Sequence, residues 1–160
     1  MGGPAGIWAH EWDSLGEAPW QGGARSRRVG RGGQMGVTLY ELPPGATGGM
    51  YHFHHGSEEI LVVVLRGAPA LRTPAGERAL AEGEVVVFAV GPEGAHQVVN
   101  RGDGPVRYLM VSTRPSPEVV EYPDTGQVSF MALDPLPDRR AAVQRAQPGR
   151  GRLMLTPGGS

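Results

Sequence analysis

The sequence predicts an all-β domain, folded as a sandwich or a barrel. Between residues 34 and 113, short segments rich in β-branched and aromatic residues recur about every 8–12 positions, which is typical of such folds. The 160-residue chain contains 26 Gly and 15 Pro, a composition that favours short strands joined by tight turns. Apolar residues at helical spacing do not occur in this stretch, so the core is expected to consist of strands.

The predicted strands follow one another closely along the chain. They lie, in order, at residues 36–42, 50–55, 59–65, 70–72, 78–80, 84–90, 96–100 and 107–113. Two of them flank the tetrapeptide Thr73-Pro74-Ala75-Gly76, in which Pro at the second position and Gly at the fourth suit a β-turn. We therefore expect residues 70–80 to form a hairpin.

The chain is expected to divide into three regions, namely an N-terminal arm at 1–33, the barrel domain at 34–137 and a flexible C-terminal tail at 138–160. Trp8, Trp12 and Leu15 are spaced so that a short amphipathic turn of the arm can pack on the barrel. The end of the arm is rich in Gly and Arg and is predicted to be a mobile loop. The tail is rich in Arg, Pro and Gly and is predicted to be flexible.

Composition and charge argue against several classes of function. A net charge of -1 does not suggest a polyanion partner, and the Arg residues of the arm and tail lack the interleaved aromatic residues of a nucleic-acid surface, so no nucleic acid is expected. No apolar run approaches the roughly 18 residues of a membrane span, and no signal peptide is recognisable, so we expect a cytoplasmic protein without a membrane partner. The chain contains no Cys, so a metal site needs His and carboxylate ligands.

Two segments are apolar on both faces. Residues 60–65 (ILVVVL) and 85–88 (VVVF) carry apolar side chains at both strand parities, so both faces must be covered. The barrel interior covers one face, and the N-terminal arm or a second subunit must cover the other. We therefore predict a homodimer.

A metal site is predicted from a cluster of His residues and one Glu. Side chains two positions apart in a strand point to the same side, with Cα atoms about 6.6 Å apart, so His52 and His54 can bind one ion whereas His55 points away. Glu59 opens the next strand, after a short segment that can turn its carboxylate back towards the imidazoles. His96 begins a later strand, and a closed barrel would bring it across the interior.

The predicted ligands are chemically consistent with one another. Three imidazoles and one carboxylate suit a divalent transition metal such as Fe, Mn, Ni, Co, Zn or Cu, whereas Mg and Ca prefer oxygen ligands. Four protein ligands on a six-coordinate metal leave about two positions for water or a small-molecule substrate. The sequence does not reveal a second catalytic group, so the catalytic residues are unassigned.

These residues resemble the two sequence motifs of the cupin superfamily. The first motif, with a Gly, an H-x-H pair, a Glu and a closing Gly, is similar to residues 45–67 and includes the His pair and the Glu named above. The second is similar to residues 83–100 and includes His96. The stretch between Glu59 and the closing Gly is one residue longer than the pattern, which leaves Glu58 as an alternative ligand of less favourable parity.

The resemblance covers about residues 36–112 and implies a double-stranded β-helix, or jelly-roll, barrel, as in small bacterial single-domain cupins. It implies a metal-binding protein that acts on a small molecule, as a metal-dependent enzyme of the dioxygenase or isomerase type. The alternative is a non-catalytic domain that binds a metal or a small ligand. A third hypothesis is an interaction module that uses the Arg-rich arm and tail. The fold alone does not decide among these functions.

Overall fold

Short β-strands form the regular structure, as the content of β-branched residues predicts. A computed structural model describes residues 6–8, 10–15, 21–31, 33–57, 60–131 and 142–145. Within these ranges there is no α-helix, and a 3₁₀ turn spans Pro92–Gly94. The strands are β1 (Ser14–Leu15), β2 (Arg25–Arg31), β3 (Met35–Leu42), β4 (Phe53–His54), β5 (Ile60–Arg66), β6 (Ala70–Thr73), β7 (Gly76–Ala79), β8 (Val85–Phe88), β9 (Gln97–Val99), β10 (Val106–Thr113), β11 (Glu118–Tyr122), β12 (Gln127–Met131) and β13 (Ala142–Arg145).

The strands form three antiparallel sheets of a jelly-roll barrel, which confirms the predicted fold class. One sheet has the order β1-β2-β3-β10-β5-β8, the second β13-β12-β11-β4 and the third β7-β6-β9. Isolated bridges, Thr47 to Val99 and His52 to His96, add pairing between segments that precede β4 and segments near β9. No helix in the described part of the chain has the length and apolar character needed to cross a membrane.

The core lies on the inner face of the largest sheet and against the third sheet. In β3 and β10 the inner face carries Leu42 opposite Val106 and Tyr40 opposite Tyr108. Leu71 and further apolar residues of the third sheet complete the cluster. Full burial of a Leu or Val side chain stabilises the fold by about 1.5–3 kcal/mol, so this cluster is the main source of stability for the barrel.

The strands predicted between residues 34 and 113 are present. The predicted hairpin is formed by β6 and β7, which pair from Ala70 opposite Ala79 to Thr73 opposite Gly76. Gly76 has a φ of 118°, a left-handed conformation that L side chains rarely adopt, so the turn requires Gly there.

The prediction of a mobile loop at the end of the N-terminal arm was wrong. Residues Arg25–Arg31 form β2, which pairs with β3 and adds a strand to the largest sheet. The register shifts between Arg28 and Gly30, which leaves Val29 as the extra residue of a β-bulge. The Gly and Arg content does not predict this strand, because the strand is stabilised by pairing with β3 and not by local propensity.

The strands also extend further towards the C-terminus than predicted. Strands β11 and β12 form a hairpin around Pro123 and Gly126, a turn signal that the sequence contains. Of the tail, only Ala142–Arg145 lies within the described residues, where it pairs with β12 as β13. The rest of the tail lies outside the described residues. The boundaries of the three regions remain predictions.

The N-terminal arm packs on the outer face of the largest sheet. The guanidinium of buried Arg107 donates a hydrogen bond to the backbone oxygen of Ile7 (3.1 Å) and lies 5.3 Å from the ring centroid of Trp12 and 5.9 Å from that of Trp8. Its charge is paired with Glu41 at 2.5 Å. The arm therefore covers one part of this face, with Trp8 and Trp12 beside the guanidinium of Arg107.

The outer face is uncovered at the opposite edge of the same sheet. On β8, Val85 is 55% exposed and Val87 is 60% exposed. These side chains lie beside Val63 of β5, because Val63 and Val85 are direct cross-strand partners. The homodimer remains a prediction, and this edge is where it places the interface.

Candidate metal centre

His52 and His96 are brought together by the backbone. The amide of His52 donates to the oxygen of His96 (3.1 Å), and the amide of His96 donates to the oxygen of His52 (2.9 Å). In such an antiparallel pair the side chains project from the same face with Cα atoms about 5.5 Å apart. The two rings consequently lie with centroids 4.6 Å apart.

His54 joins this pair because it lies two positions along the chain from His52. The ring centroids of His52 and His54 are 5.0 Å apart. One ring nitrogen from each of His52, His54 and His96 lies within 4.8 Å of the others, so the three rings converge on one point where a metal ion could bind. His55 points away, is exposed and forms a 2.7 Å hydrogen bond to Glu121 Oε1. The parity argument for these side chains is confirmed.

Two of the imidazoles have their proton positions fixed by carbonyl groups. His52 Nδ1 donates to the backbone oxygen of Met50 (2.7 Å), and His96 Nδ1 donates to that of Gly94 (2.9 Å). Because a carbonyl oxygen only accepts, each Nδ1 carries the proton and each neutral ring keeps a lone pair on Nε2. His96 Nε2 is buried and has no hydrogen-bond partner within the described ranges. A bound metal would satisfy this atom, so the residues present fit a metal ion.

Glu118 is a site residue that the sequence analysis missed. Its carboxylate is 4% exposed and lies with Oε1 3.4 Å from Nδ1 of His54. It accepts hydrogen bonds from the amide of Gly56 (3.2 Å) and the hydroxyl of Ser57 (3.0 Å). The sequence around Glu118 and Val120, followed by a turn, could have predicted a strand. No local pattern indicates that this strand, β11, pairs with β4.

Burial keeps the three imidazoles neutral. Desolvation lowers the pKa of His52 and, together with the neighbouring His52, lowers that of His54 to about 4, although Glu118 acts in the opposite direction. Desolvation also lowers the pKa of His96 to about 3, and the ring of Phe88 stacks on it at 3.8 Å between centroids. Neutral imidazole is the form that coordinates a metal, so the site is preorganised for binding at neutral pH.

The His cluster opens into a cavity of about 190 Å³. Its lining combines the imidazoles with hydroxyl, amide and apolar groups, namely Thr38, Tyr40, Gly48, Gly49, Met50, His52, His54, His96, Gln97, Val98, Tyr108, Met110 and Ser112. Tyr40 and Tyr108 stack with centroids 5.1 Å apart, and burial raises the pKa of each phenol. The hydroxyl of Tyr108 occupies the space that a Cβ on Gly48 would fill. The cavity therefore presents neutral hydroxyl donors beside the imidazoles.

The predicted carboxylate ligand cannot be placed. Glu59 and the alternative Glu58 lie outside the described residues. The structure brings His52, His54 and His96 together, and the role of Glu59 as a fourth ligand stays a prediction.

Comparisons with known proteins agree with this architecture. The family described as "Cupin domain" matches residues 38–112. A crystal structure described as a sugar phosphate isomerase of the cupin superfamily, from Silicibacter pomeroyi, is 31% identical over 78% of each chain with a TM-score of 0.70. A putative sugar phosphate isomerase from Acidithiobacillus ferrooxidans is 26% identical over 70% of this chain and 72% of its own, with a TM-score of 0.64. A comparison with curated proteins found no match.

Proposed function

This chain belongs to the cupin superfamily, and from that premise we propose that it is a metal-dependent isomerase of a small, anionic hydroxy-carbonyl compound. The observation that carries the proposal is the meeting of three neutral imidazoles, two half-buried and one buried, at a small cavity lined with hydroxyl groups. His52, His54 and His96, with Glu59 as the proposed fourth ligand, would hold a divalent transition metal. Such an ion acts as a Lewis acid that polarises a substrate carbonyl.

The lining of the cavity suits the isomerisation of a hydroxy-carbonyl compound. Isomerisation of a hydroxy-carbonyl compound takes a proton from the carbon that bears the hydroxyl and returns one to the former carbonyl carbon, without an oxidant. The phenol of Tyr40 is neutral and lies beside Thr38 and Ser112 in the lining, so these groups can orient the substrate oxygens by hydrogen bonds. Of the two similar structures named above, one is described as a sugar phosphate isomerase and the other as a putative sugar phosphate isomerase, which supports the same reaction class.

The size of the cavity limits the substrate to a compound of few carbons. Its volume of about 190 Å³ is below the roughly 300–1,000 Å³ of pockets that take drug-sized ligands. A cavity of this size would enclose a small sugar derivative, whereas most of a nucleotide-linked sugar or a polymer would extend outside it.

Arg28 supplies the positive charge that an anionic substrate needs. It is the direct cross-strand partner of Thr38, so its side chain leaves the sheet on the same face as the cavity lining. Burial raises the pKa of Tyr40, and the charge of Arg28 acts against that rise, which indicates that the two groups are neighbours.

The charge of Arg28 is also available. Among the described residues no carboxylate pairs with its exposed guanidinium, whereas its neighbours on β2 are paired, Arg25 with Glu41 at 3.6 Å and Arg27 with Glu11 at 3.5 Å. A free guanidinium at the edge of a polar cavity suits a phosphate or carboxylate group.

The proposal is tested by isomerisation in deuterated water. The protein is stripped with a chelator, reloaded separately with Mn(II), Fe(II), Co(II), Ni(II) and Zn(II), and incubated with a panel of small aldose and ketose phosphates. Proton NMR should show interconversion with deuterium at the carbon next to the carbonyl, in a reaction that chelator stops. His96→Ala should lose the activity, and His55→Ala should keep it.

Two results would replace the proposal. Oxygen consumption by the Fe(II)-loaded protein, without isomerisation, would assign the dioxygenase type. A compound that raises the melting temperature but is not converted with any of these metals would assign the non-catalytic binding domain.

A further inference from the structure

Two neighbouring His residues each face a carboxylate of the same strand. Glu118 Oε1 of β11 lies 3.4 Å from His54 Nδ1, and Glu121 Oε1 of β11 lies 2.7 Å from His55 Nε2. The register explains the arrangement, because Val120 is opposite His54. Residues 118 and 120 therefore share the face of His54, and Glu121 shares the opposite face with His55. One carboxylate is buried beside the His cluster, and the other is at the surface.

Glu118 is buried without a cationic side chain other than a His ring. Among the described residues, the groups that donate hydrogen bonds to it are the neutral Gly56 amide and Ser57 hydroxyl, and its one ion-pair partner is the ring of His54. A buried carboxylate is costly unless a positive charge compensates for it. The metal site, on the other side of the His54 ring, is a place for such a charge.

His54 lacks the hydrogen bond that the other two imidazoles have. Nδ1 of His52 and of His96 each donates to a backbone oxygen, which leaves Nε2 facing the cavity. Nδ1 of His54 is buried and has no such partner among the described residues, and the closest charged group is Glu118. A hydrogen bond from Nδ1 of His54 to Glu118 would leave Nε2 as the nitrogen that faces the cavity in all three rings.

We propose that Glu118 is a positioning residue of the metal centre, which accepts a hydrogen bond from Nδ1–H of His54 and thereby directs Nε2 of His54 towards the metal. The Nδ1–H group of His54 would donate to an anion, whereas those of His52 and His96 donate to carbonyl groups. Glu118 therefore also makes His54 the most electron-rich of the three imidazoles. Glu118 does not itself belong to the group of side chains whose ligand atoms converge. The inference rests on the metal centre of the proposed function and not on the reaction.

Metal affinity measures this role directly. Glu118→Gln keeps the size of the side chain and removes its charge, and Glu121→Gln is the matched control on the same strand. Zn(II) and Co(II) affinities are measured by competition with a chelator of known affinity. Glu118→Gln should weaken binding by about 10- to 100-fold, as expected for an outer partner of a ligand His, and Glu121→Gln should leave it unchanged. Equal affinities of Glu118→Gln and the unsubstituted protein would overturn the proposal.

A second measurement needs no substitution and so does not depend on the folding of a variant. In the Zn(II)-loaded protein, long-range ¹H–¹⁵N spectra report which ring nitrogen of His54 carries the proton. A proton on Nδ1 supports the proposal, and a proton on Nε2 overturns it. The variant His96→Ala distinguishes failure of the proposed metal centre from failure of the proposed role of Glu118. Unchanged Zn(II) affinity in this variant would refute the metal centre itself.

Discussion

His52 and His96 exchange two backbone hydrogen bonds, although they lie in sequence segments that are far apart. This pair joins the segment around β4 to the start of β9, and it places the rings with centroids 4.6 Å apart. The geometry of the candidate metal centre is therefore a property of backbone pairing. Side-chain packing, such as the stacking of Phe88 on His96, then holds the rings in place.

The two neighbouring His residues should differ in their effect on metal content. His54→Ala should lower the metal content at least tenfold, because His54 faces the cluster, and His55→Ala should leave it near that of the unsubstituted protein, because His55 faces solvent. Atomic emission on dialysed protein measures this. Equal loss from both variants would contradict the assignment of faces.

The stability of the metal-free protein should depend on pH through the His cluster. Burial lowers the pKa of His54 to about 4 and that of His96 to about 3, whereas an unfolded His titrates near 6.5. Between these values the unfolded state binds more protons, so stability is fully present above about pH 6.5 and is lost as the pH falls towards 4. Melting temperatures of chelator-treated protein should fall across this range, and less steeply for His96→Gln. If the melting temperature falls equally steeply in His96→Gln and in the unsubstituted protein, the ring of His96 does not take up a proton on unfolding.

Removing the charge of Arg28 should weaken the binding of anionic substrates selectively. Arg28→Gln should raise KM for a phosphorylated substrate by about tenfold or more, since a charge-assisted hydrogen bond is worth about 1.5–3 kcal/mol, with little change for the unphosphorylated counterpart. Arg25→Gln is the matched control, because Arg25 lies on the same strand and is already paired with Glu41. An equal loss for both substrates would mean that Arg28 does not hold the anionic group.

A methyl group at position 48 should disturb the cavity. The Cβ of Gly48→Ala would overlap the hydroxyl of buried Tyr108, so the variant should lose about 1–3 kcal/mol of stability and several degrees of melting temperature. Gly104→Ala is the control, because a Cβ at Gly104 meets no atom. A melting temperature for Gly48→Ala that equals that of the control would contradict this packing.

The exposed edge of the largest sheet should carry the interface of the predicted homodimer. Light scattering should give twice the mass of the chain, and Val85→Asp with Val87→Asp should shift it to that of a monomer, because charges on an apolar interface are costly to bury. A monomeric unsubstituted protein would contradict the homodimer and leave this edge as exposed apolar surface.

The amino-acid sequence by itself determined the features that depend on local backbone periodicity. Alternation of side chains along a strand is enough to put His52 and His54 on one face and His55 on the other, and a Pro and a Gly are enough to predict the turn between β6 and β7. The jelly-roll barrel was predictable from the number and spacing of the strands together with the motif resemblance.

Only the tertiary structure decided the features that depend on pairing between distant segments. Arg25–Arg31 is a strand because β3 satisfies its backbone, and Glu118 faces His54 because β11 pairs with β4. The local composition of these segments does not indicate which strands they pair with, since backbone hydrogen bonds are the same for every residue type that can donate and accept them. The sequence also could not predict which surface covers Val85 and Val87, because an apolar strand face does not specify its partner.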